Sequence, residues 1–168
     1  MSQMFFNEIE AAKIAQNMEK HALEFYQKAA AKTRNPAVRD IFLQLAEDEK
    51  GHLATFEELE ETLQAARREQ AGYADDSEIG AYIDRLLQTQ VFCDTCAVTR
   101  LADQAKDDLE ALAVGMKSER DAIVFYQEML DFVDSKAAKE AFSDILKEER
   151  RHLKILGDRS DDCSGKTP

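Results

Sequence analysis

The chain has 168 residues and a formal net charge of −12, from 34 acidic and 22 basic side chains. This charge excludes an electrostatic footprint for nucleic acid and disfavours an acidic membrane surface, whereas it tolerates metal cations as partners. The six glycines and two prolines are too few for a turn-rich β protein, and no stretch approaches the ~20 apolar residues that cross a bilayer. The sequence predicts a single all-α domain in a reducing, cytoplasmic setting, because three cysteines do not form a secreted disulfide framework and the N-terminus lacks signal-peptide features.

Two long helices are predicted in the N-terminal part of the chain. Asn7 can cap the first helix, with Glu10 as its partner in a capping box, and nothing interrupts this helix before Asn35. Asn35 then supplies a second cap and Pro36 a proline in the first turn. The second helix is therefore expected over residues 36–68.

A long connection follows the second helix. It covers residues 69 to about 102 and is expected to contain a short helix over roughly 78–90. The third long helix is predicted to start between Cys93 and Asp107 and to run to about Val133.

The fourth helix is predicted over residues 136–156, with a cap from Asp134 and Ser135. Gly157 is expected to end this helix, because glycine is the preferred residue after a helix C-terminus. The polar and charged residues 158–168 are expected to form a disordered tail, which leaves a domain over residues 1–157.

An internal repeat relates the two halves of the chain. Residues 11–60 align with residues 111–160 without a gap. The matches include Glu19 with Glu119, Phe25-Tyr26-Gln27 with Phe125-Tyr126-Gln127, Phe42 with Phe142, Glu49 with Glu149, and His52-Leu53 with His152-Leu153. The repeat predicts two helical hairpins related by a pseudo-two-fold axis, which form a four-helix bundle with one long crossover.

Each half of the repeat carries a Glu-x-x-His motif. Residues three apart lie on the same helix face, so each glutamate and its histidine project together. A further glutamate stands 30 residues before each motif and falls at the same height in an antiparallel hairpin. Because surface ion pairs do not explain why both sets recur, the sequence predicts six metal ligands: Glu19, Glu49, His52, Glu119, Glu149 and His152. Asp48 and Glu148, four residues before each histidine, remain alternative acids on nearly the same face.

The six predicted ligands define the class of metal. Four carboxylates and two neutral imidazoles carry a charge of about −4, which two divalent ions balance. Mixed oxygen and imidazole ligands suit iron or manganese and allow zinc, whereas calcium and magnesium would not select two histidines. One glutamate from each of two helices and Glu-x-x-His from each of the other two is the known pattern of ferritin-like di-iron and di-manganese proteins.

Three other side chains near the motifs have less specific interpretations. Tyr26 and Tyr126 lie two helical turns after Glu19 and Glu119, so they are either ordinary core residues or hydrogen-bond donors to the ligating carboxylates. His21 aligns with Asp121 and breaks the repeat, so we expect it on the surface, pointing away from Glu19.

Glu19-x6-Tyr26 with Glu49-x-x-His52, repeated as Glu119-x6-Tyr126 with Glu149-x-x-His152, resembles the rubrerythrin family of the ferritin-like superfamily. The resemblance covers roughly residues 8–157. It implies a pair of iron ions that reacts with hydrogen peroxide or dioxygen, often as a peroxidase. It also implies that the six residues above are the ligands and that Glu49 and Glu149 bridge the two ions.

The chain departs from this family pattern in two places. Rubrerythrins carry an extra ligand glutamate three residues before the one that matches Glu119, and Met116 stands there instead. Rubrerythrins also carry a rubredoxin domain with two Cys-x-x-Cys pairs, whereas these 168 residues hold only Cys93-x-x-Cys96. The expected partners are therefore peroxide or dioxygen, a separate rubredoxin-like or flavoprotein electron donor, and a second copy in a homodimer. Iron storage and a metal-free helical scaffold are the alternative functions.

Overall fold

The computed structural model describes residues 7–70, 100–101 and 103–165 of the chain. It contains four long helices: α1 (Glu8–Lys32), α2 (Pro36–Gln70), α3 (Asp108–Phe132) and α4 (Lys136–Ser164). Helices α1 and α2 form one hairpin and α3 and α4 form the other, while α2 packs on α4 and α1 on α3. The predicted bundle of two hairpins with a long connection is confirmed. The expected short helix at 78–90 and the Cys93-x-x-Cys96 pair lie outside the described residues.

The helix starts follow from capping side chains. The Asn7 side chain accepts hydrogen bonds from the backbone amides of Ile9 (2.9 Å) and Glu10 (3.2 Å), and the Glu10 carboxylate accepts one from the Asn7 amide (2.8 Å). This is the predicted capping box. The Ser135 hydroxyl caps α4 in the same way, and the Ser135 amide donates to the carboxylate of Glu8 (2.8 Å), so the first turn of α1 is tied to the start of α4.

The apolar core is split into two clusters at opposite ends of the bundle. Near the α1–α2 turn it is built around Phe25, Tyr26, Phe42, Leu112 and Leu156. Towards the other end it is built around Phe56, Leu59, Tyr126, Phe142 and Ile145. On every helix the predicted ligands lie between the segments that enter these two clusters, so the polar layer is enclosed by apolar packing from both ends. Within the described part of the chain, no helix is long and apolar enough to span a membrane.

The predicted end of α4 at Gly157 is wrong, because the helix continues to Ser164. Three interactions extend it: Lys154 pairs with Asp158 (2.6 Å), Arg159 pairs with Asp162 (3.6 Å), and the half-buried Cys163 packs against the core. The helix ends instead before Gly165, which adopts the left-handed conformation with φ 69°. Residues 158–164 are thus helical rather than a disordered tail, and 166–168 lie outside the described residues.

Replacing Gly157 with alanine should raise the free energy of unfolding by about 0.5–1 kcal/mol, because an interior helical glycine costs conformational entropy. The added Cβ would lie 4.0 Å from the sulfur of Met116, which is an ordinary contact. Gly165→Ala should instead destabilise, since alanine is strained at a positive φ. Urea denaturation of the two metal-free variants measures both signs, and a loss of stability in Gly157→Ala would indicate that the helix ends where the sequence suggested.

Candidate metal centre

The six predicted ligand side chains meet in the middle of the bundle. Glu19 comes from α1, Glu119 from α3, the Glu49 and His52 pair from α2, and the Glu149 and His152 pair from α4. All six are buried, with relative exposures between 0% and 4%. A cluster of this charge in a protein interior is costly unless its groups are paired or bind cations.

Both histidines turn Nδ1 towards the carboxylates. His52 Nδ1 lies 3.0 Å from an oxygen of Glu49, 3.0 Å from one of Glu149 and 3.6 Å from one of Glu19. His152 Nδ1 lies 3.4 Å, 3.2 Å and 3.9 Å from oxygens of Glu49, Glu149 and Glu119, respectively. The two environments are therefore equivalent under the pseudo-two-fold relation.

The ligand atoms form two overlapping groups of four. One contains Glu19 and His52, the other contains Glu119 and His152, and Glu49 and Glu149 belong to both. Within each group the candidate ligand atoms lie within 4.8 Å of one another. Two ions held side by side with shared carboxylates would use this arrangement, and the shared residues are those that the family resemblance implied as bridges.

The donor atoms fit such a pair of ions. Oε1 of Glu149 and Oε1 of Glu49 are buried and lie 3.0 Å from Nδ1 of His52 and 3.4 Å from Nδ1 of His152, respectively, in each case without the alignment of a hydrogen bond. Each pair places a carboxylate oxygen and an imidazole nitrogen where one cation could bind both. Two imidazoles with four carboxylates would hold iron, manganese or zinc.

The charges in the cluster shift the pKa values of its members. Burial, together with the charges of Glu49 and Glu149, raises the pKa of Glu19 well above its usual range. Burial and Glu149 do the same to the pKa of Glu119. Burial alone would raise the pKa of Glu149, but hydrogen bonds from Glu119 and the two histidines lower it.

The pKa values of both histidines are raised, which favours the imidazolium form. Burial alone would lower the pKa of His152, but its hydrogen bonds to Glu149 and Glu49 raise it to about 9. The pKa of His52 is raised by Glu149, Glu19 and Glu49, again against the effect of burial. In the metal-free cluster, protons bound to the histidines and to Glu19 and Glu119 therefore balance the carboxylate charge that a bound cation would otherwise compensate.

Metal binding should release protons from this cluster. Ligation requires neutral imidazoles and ionised carboxylates, so at pH 7 the two histidines alone should lose about two protons per pair of ions. Because the folded pKa values are raised, metal affinity should increase as the pH rises from 6 towards 9, about tenfold per pH unit for each proton released. Calorimetric titration with Mn²⁺ in two buffers of different ionisation enthalpy measures the proton count, and a buffer-independent heat would contradict the prediction.

The two tyrosines bond across the repeat. The Tyr26 hydroxyl donates to Glu119, and the Tyr126 hydroxyl donates to Glu19. Burial and the neighbouring carboxylates raise the pKa of both tyrosines, so both remain hydrogen-bond donors. The tyrosines thus lie in the apolar clusters and also donate hydrogen bonds to predicted ligands. The glutamate that each tyrosine bonds belongs to the other hairpin.

Asp48 and Glu148 each contact the histidine of the opposite hairpin. His52 Nε2 lies 3.1 Å from a carboxylate oxygen of Glu148, and His152 Nε2 lies 3.2 Å from one of Asp48. Arg151 bonds Asp48 at 3.1 Å and also approaches Glu148. Because an Nε2–H donated to a carboxylate leaves the Nδ1 lone pair facing inwards, these acids orient the histidines instead of replacing Glu49 and Glu149 among the inner groups.

The expectation for His21 is corrected by a small cavity between α1 and α3. Its lining includes Glu19 and Glu119 together with His21, which is half-buried. His21 therefore faces the same space as Glu19. Helical phase alone suggested otherwise, because the sequence does not show how α1 is rotated against α3.

Comparison with known proteins identifies the family. The sequence profile described as Rubrerythrin matches residues 3–60 and 84–159. The chain belongs to the rubrerythrin family. Among solved structures, this rubrerythrin-family chain is similar to hypothetical protein MJ0754 from Methanococcus jannaschii, with a TM-score of 0.67 and 17% identity over 98% of this chain and 86% of that chain. This likeness confirms the fold, and no curated protein sequence matches the chain.

Met116 marks a local difference within this rubrerythrin-family chain. The half-buried side chain packs against the apolar cluster that contains Leu112 and Leu156. The extra carboxylate that the family resemblance implies at this position is thus replaced by an apolar contact. The cluster keeps four glutamates and two histidines.

Proposed function

We propose that the protein is a non-haem di-iron oxidoreductase that reduces hydrogen peroxide or dioxygen, of the peroxidase or ferroxidase type. The observation that carries this proposal is the pair of buried Glu/His groups that share Glu49 and Glu149. Such sharing favours two ions close enough to act on one small molecule, whereas a structural ion needs only one closed set of ligands. Iron is the proposed metal, with manganese and zinc as the competitors that the same donors accept.

A bound pair of ferrous ions would supply one electron from each ion, which together with two protons reduce one hydrogen peroxide to two molecules of water. The residues of the chain have three tasks in this reaction. The shared glutamates would hold both ions, and the outward hydrogen bonds from Nε2 fix the orientation of the histidines. The buried tyrosine hydroxyls hold Glu19 and Glu119 in place.

Re-reduction requires electrons from outside the cluster. The 168 residues contain a single Cys-x-x-Cys pair, which cannot supply the four thiolates of a rubredoxin-type iron. We propose a separate rubredoxin-like protein or flavoprotein as the electron donor. A donor of this kind should restore the ferrous state between turnovers and make the peroxide reduction catalytic.

Metal analysis followed by anaerobic iron loading and peroxide titration tests the proposal. We expect about two irons per chain, and two irons oxidised for each hydrogen peroxide consumed. Protein that binds iron but does not oxidise it with either peroxide or dioxygen would overturn the oxidoreductase assignment.

The assembly state separates this function from iron storage. We propose a homodimer, whereas storage of a mineral requires a closed cage. Light scattering of the iron-loaded protein distinguishes the two, because a cage would be many times the mass of a dimer.

A further inference from the structure

We infer that the cavity between α1 and α3 is the route by which a small oxidant reaches the buried glutamates, and that Ala22 and Ala122 set its size limit. This inference rests on the proposed function. The cavity is lined by all four glutamates of the cluster, including Glu49 and Glu149, which both groups of ligand atoms share. It therefore leads to the shared carboxylates.

The dimensions of the cavity limit what it can admit. Its volume is about 20 Å³, only slightly above the roughly 10–15 Å³ that one water molecule needs. A peroxide or dioxygen molecule has two heavy atoms and needs little more room, whereas an alkyl hydroperoxide is far too large. A cavity this narrow favours the smallest oxidants over bulkier ones.

On the opposite side of the cluster, the groove formed by the described residues does not reach the four buried glutamates. A groove of about 610 Å³ runs between α2 and α4 and is lined by His52 and Glu148, but by none of the four buried glutamates. His52 lines this groove, and its ring stacks on the ring of the fully buried His152 with centroids 5.4 Å apart. Asp48 and Glu148 bond to the outer nitrogens of these rings, so passage on this side would require breaking those bonds.

The walls of the α1–α3 cavity explain why Ala22 and Ala122 are proposed to limit its size. Ala22 of α1 and Ala122 of α3 occupy matching positions of the repeat, and both line the cavity. Both are half-buried, so their methyl groups narrow the cavity without filling it. His21, Ser118 and Asp121 add polar groups to the same lining, which suits a hydrogen-bonding molecule such as peroxide.

Azide binding to the cobalt(II)-loaded protein tests the route independently of any oxidation. Two variants, Ala122→Leu and the milder Ala122→Val, narrow the cavity, and Ala113→Leu places the same bulk on an exposed position of α3. We expect the narrowing variants to keep about two cobalt ions per chain and to bind azide at least tenfold more slowly than wild type, as followed by stopped-flow measurement of the visible absorption of cobalt. Ala113→Leu should match wild type.

A widening variant, Ala22→Gly with Ala122→Gly, makes the complementary measurement. In the iron-loaded protein it should increase the rate of iron oxidation by tert-butyl hydroperoxide at least tenfold, with little change for hydrogen peroxide. Equal rates of azide binding in Ala122→Val and Ala113→Leu, or no gain for the bulky peroxide in the widened protein, would overturn the route. Failure of the proposed function has a different signature, because wild-type iron would then resist hydrogen peroxide while the azide binding rates still differ.

Discussion

Glu49→Gln should reduce the bound metal from about two ions per chain to one or none. Glu49 belongs to both groups of ligand atoms, so its loss weakens the binding of both ions at once. The effect on affinity should exceed the about 10–100-fold that follows from mutating outer hydrogen-bond partners of a metal site. Metal analysis after gel filtration measures the stoichiometry, and competition with a coloured chelator measures the affinity.

The metal-free Glu49→Gln protein should also lose stability, because Glu49 pairs with the imidazolium forms of both His52 and His152 in the metal-free cluster. Glu47→Gln is the matched control, since Glu47 lies two residues away with its side chain 72% exposed and pairs with Lys50. Full occupancy of two ions in Glu49→Gln would show that Glu49 is not a ligand.

Removal of the metal should lower the thermal stability of the wild-type protein substantially. An ion at 100 times its dissociation constant stabilises the folded state by about 2.7 kcal/mol, so two ions contribute about 5 kcal/mol. For a domain of this size that corresponds to a fall in melting temperature of roughly 10–20 °C after chelation. Differential scanning calorimetry before and after dialysis against a chelator measures the shift.

The metal-free Glu49→Gln protein provides the control for chelation, because its melting temperature should barely respond to the chelator. Re-addition of Mn²⁺ or Fe²⁺ to the wild-type protein should restore the lost stability. If wild-type protein that initially holds two ions melts at the same temperature after the chelator has removed them, the folded state does not depend on cations bound to the buried carboxylates.

Much of the fold could be predicted because its causes are local. The capping box of Asn7 with Glu10 and the cap at Ser135 depend on residues within one turn, and both are found where the sequence suggests them. The end of α4 could not be predicted in this way. Gly157 is a typical stop, but the contact of Cys163 with the core and the ion pairs of the last turns keep the helix going to Ser164.

The sequence by itself determined which residues meet in the centre. A gapless repeat keeps Glu19 and the Glu49-x-x-His52 motif in phase with their counterparts in the second half, so all must occupy equivalent heights in the bundle. Membership of the rubrerythrin family, shown by the matched profile, agrees with this arrangement.

Only the tertiary structure decided how those residues pair. The repeat offers each tyrosine two equivalent glutamates, and it offers Asp48 and Glu148 two equivalent histidines. Packing of α1 on α3 and of α2 on α4 brings the partner from the other hairpin closer, so Tyr26 bonds Glu119 and Asp48 bonds His152. The same packing brings His21 to the cavity between α1 and α3, since the rotation of one helix against another depends on contacts between distant segments that the repeat does not encode.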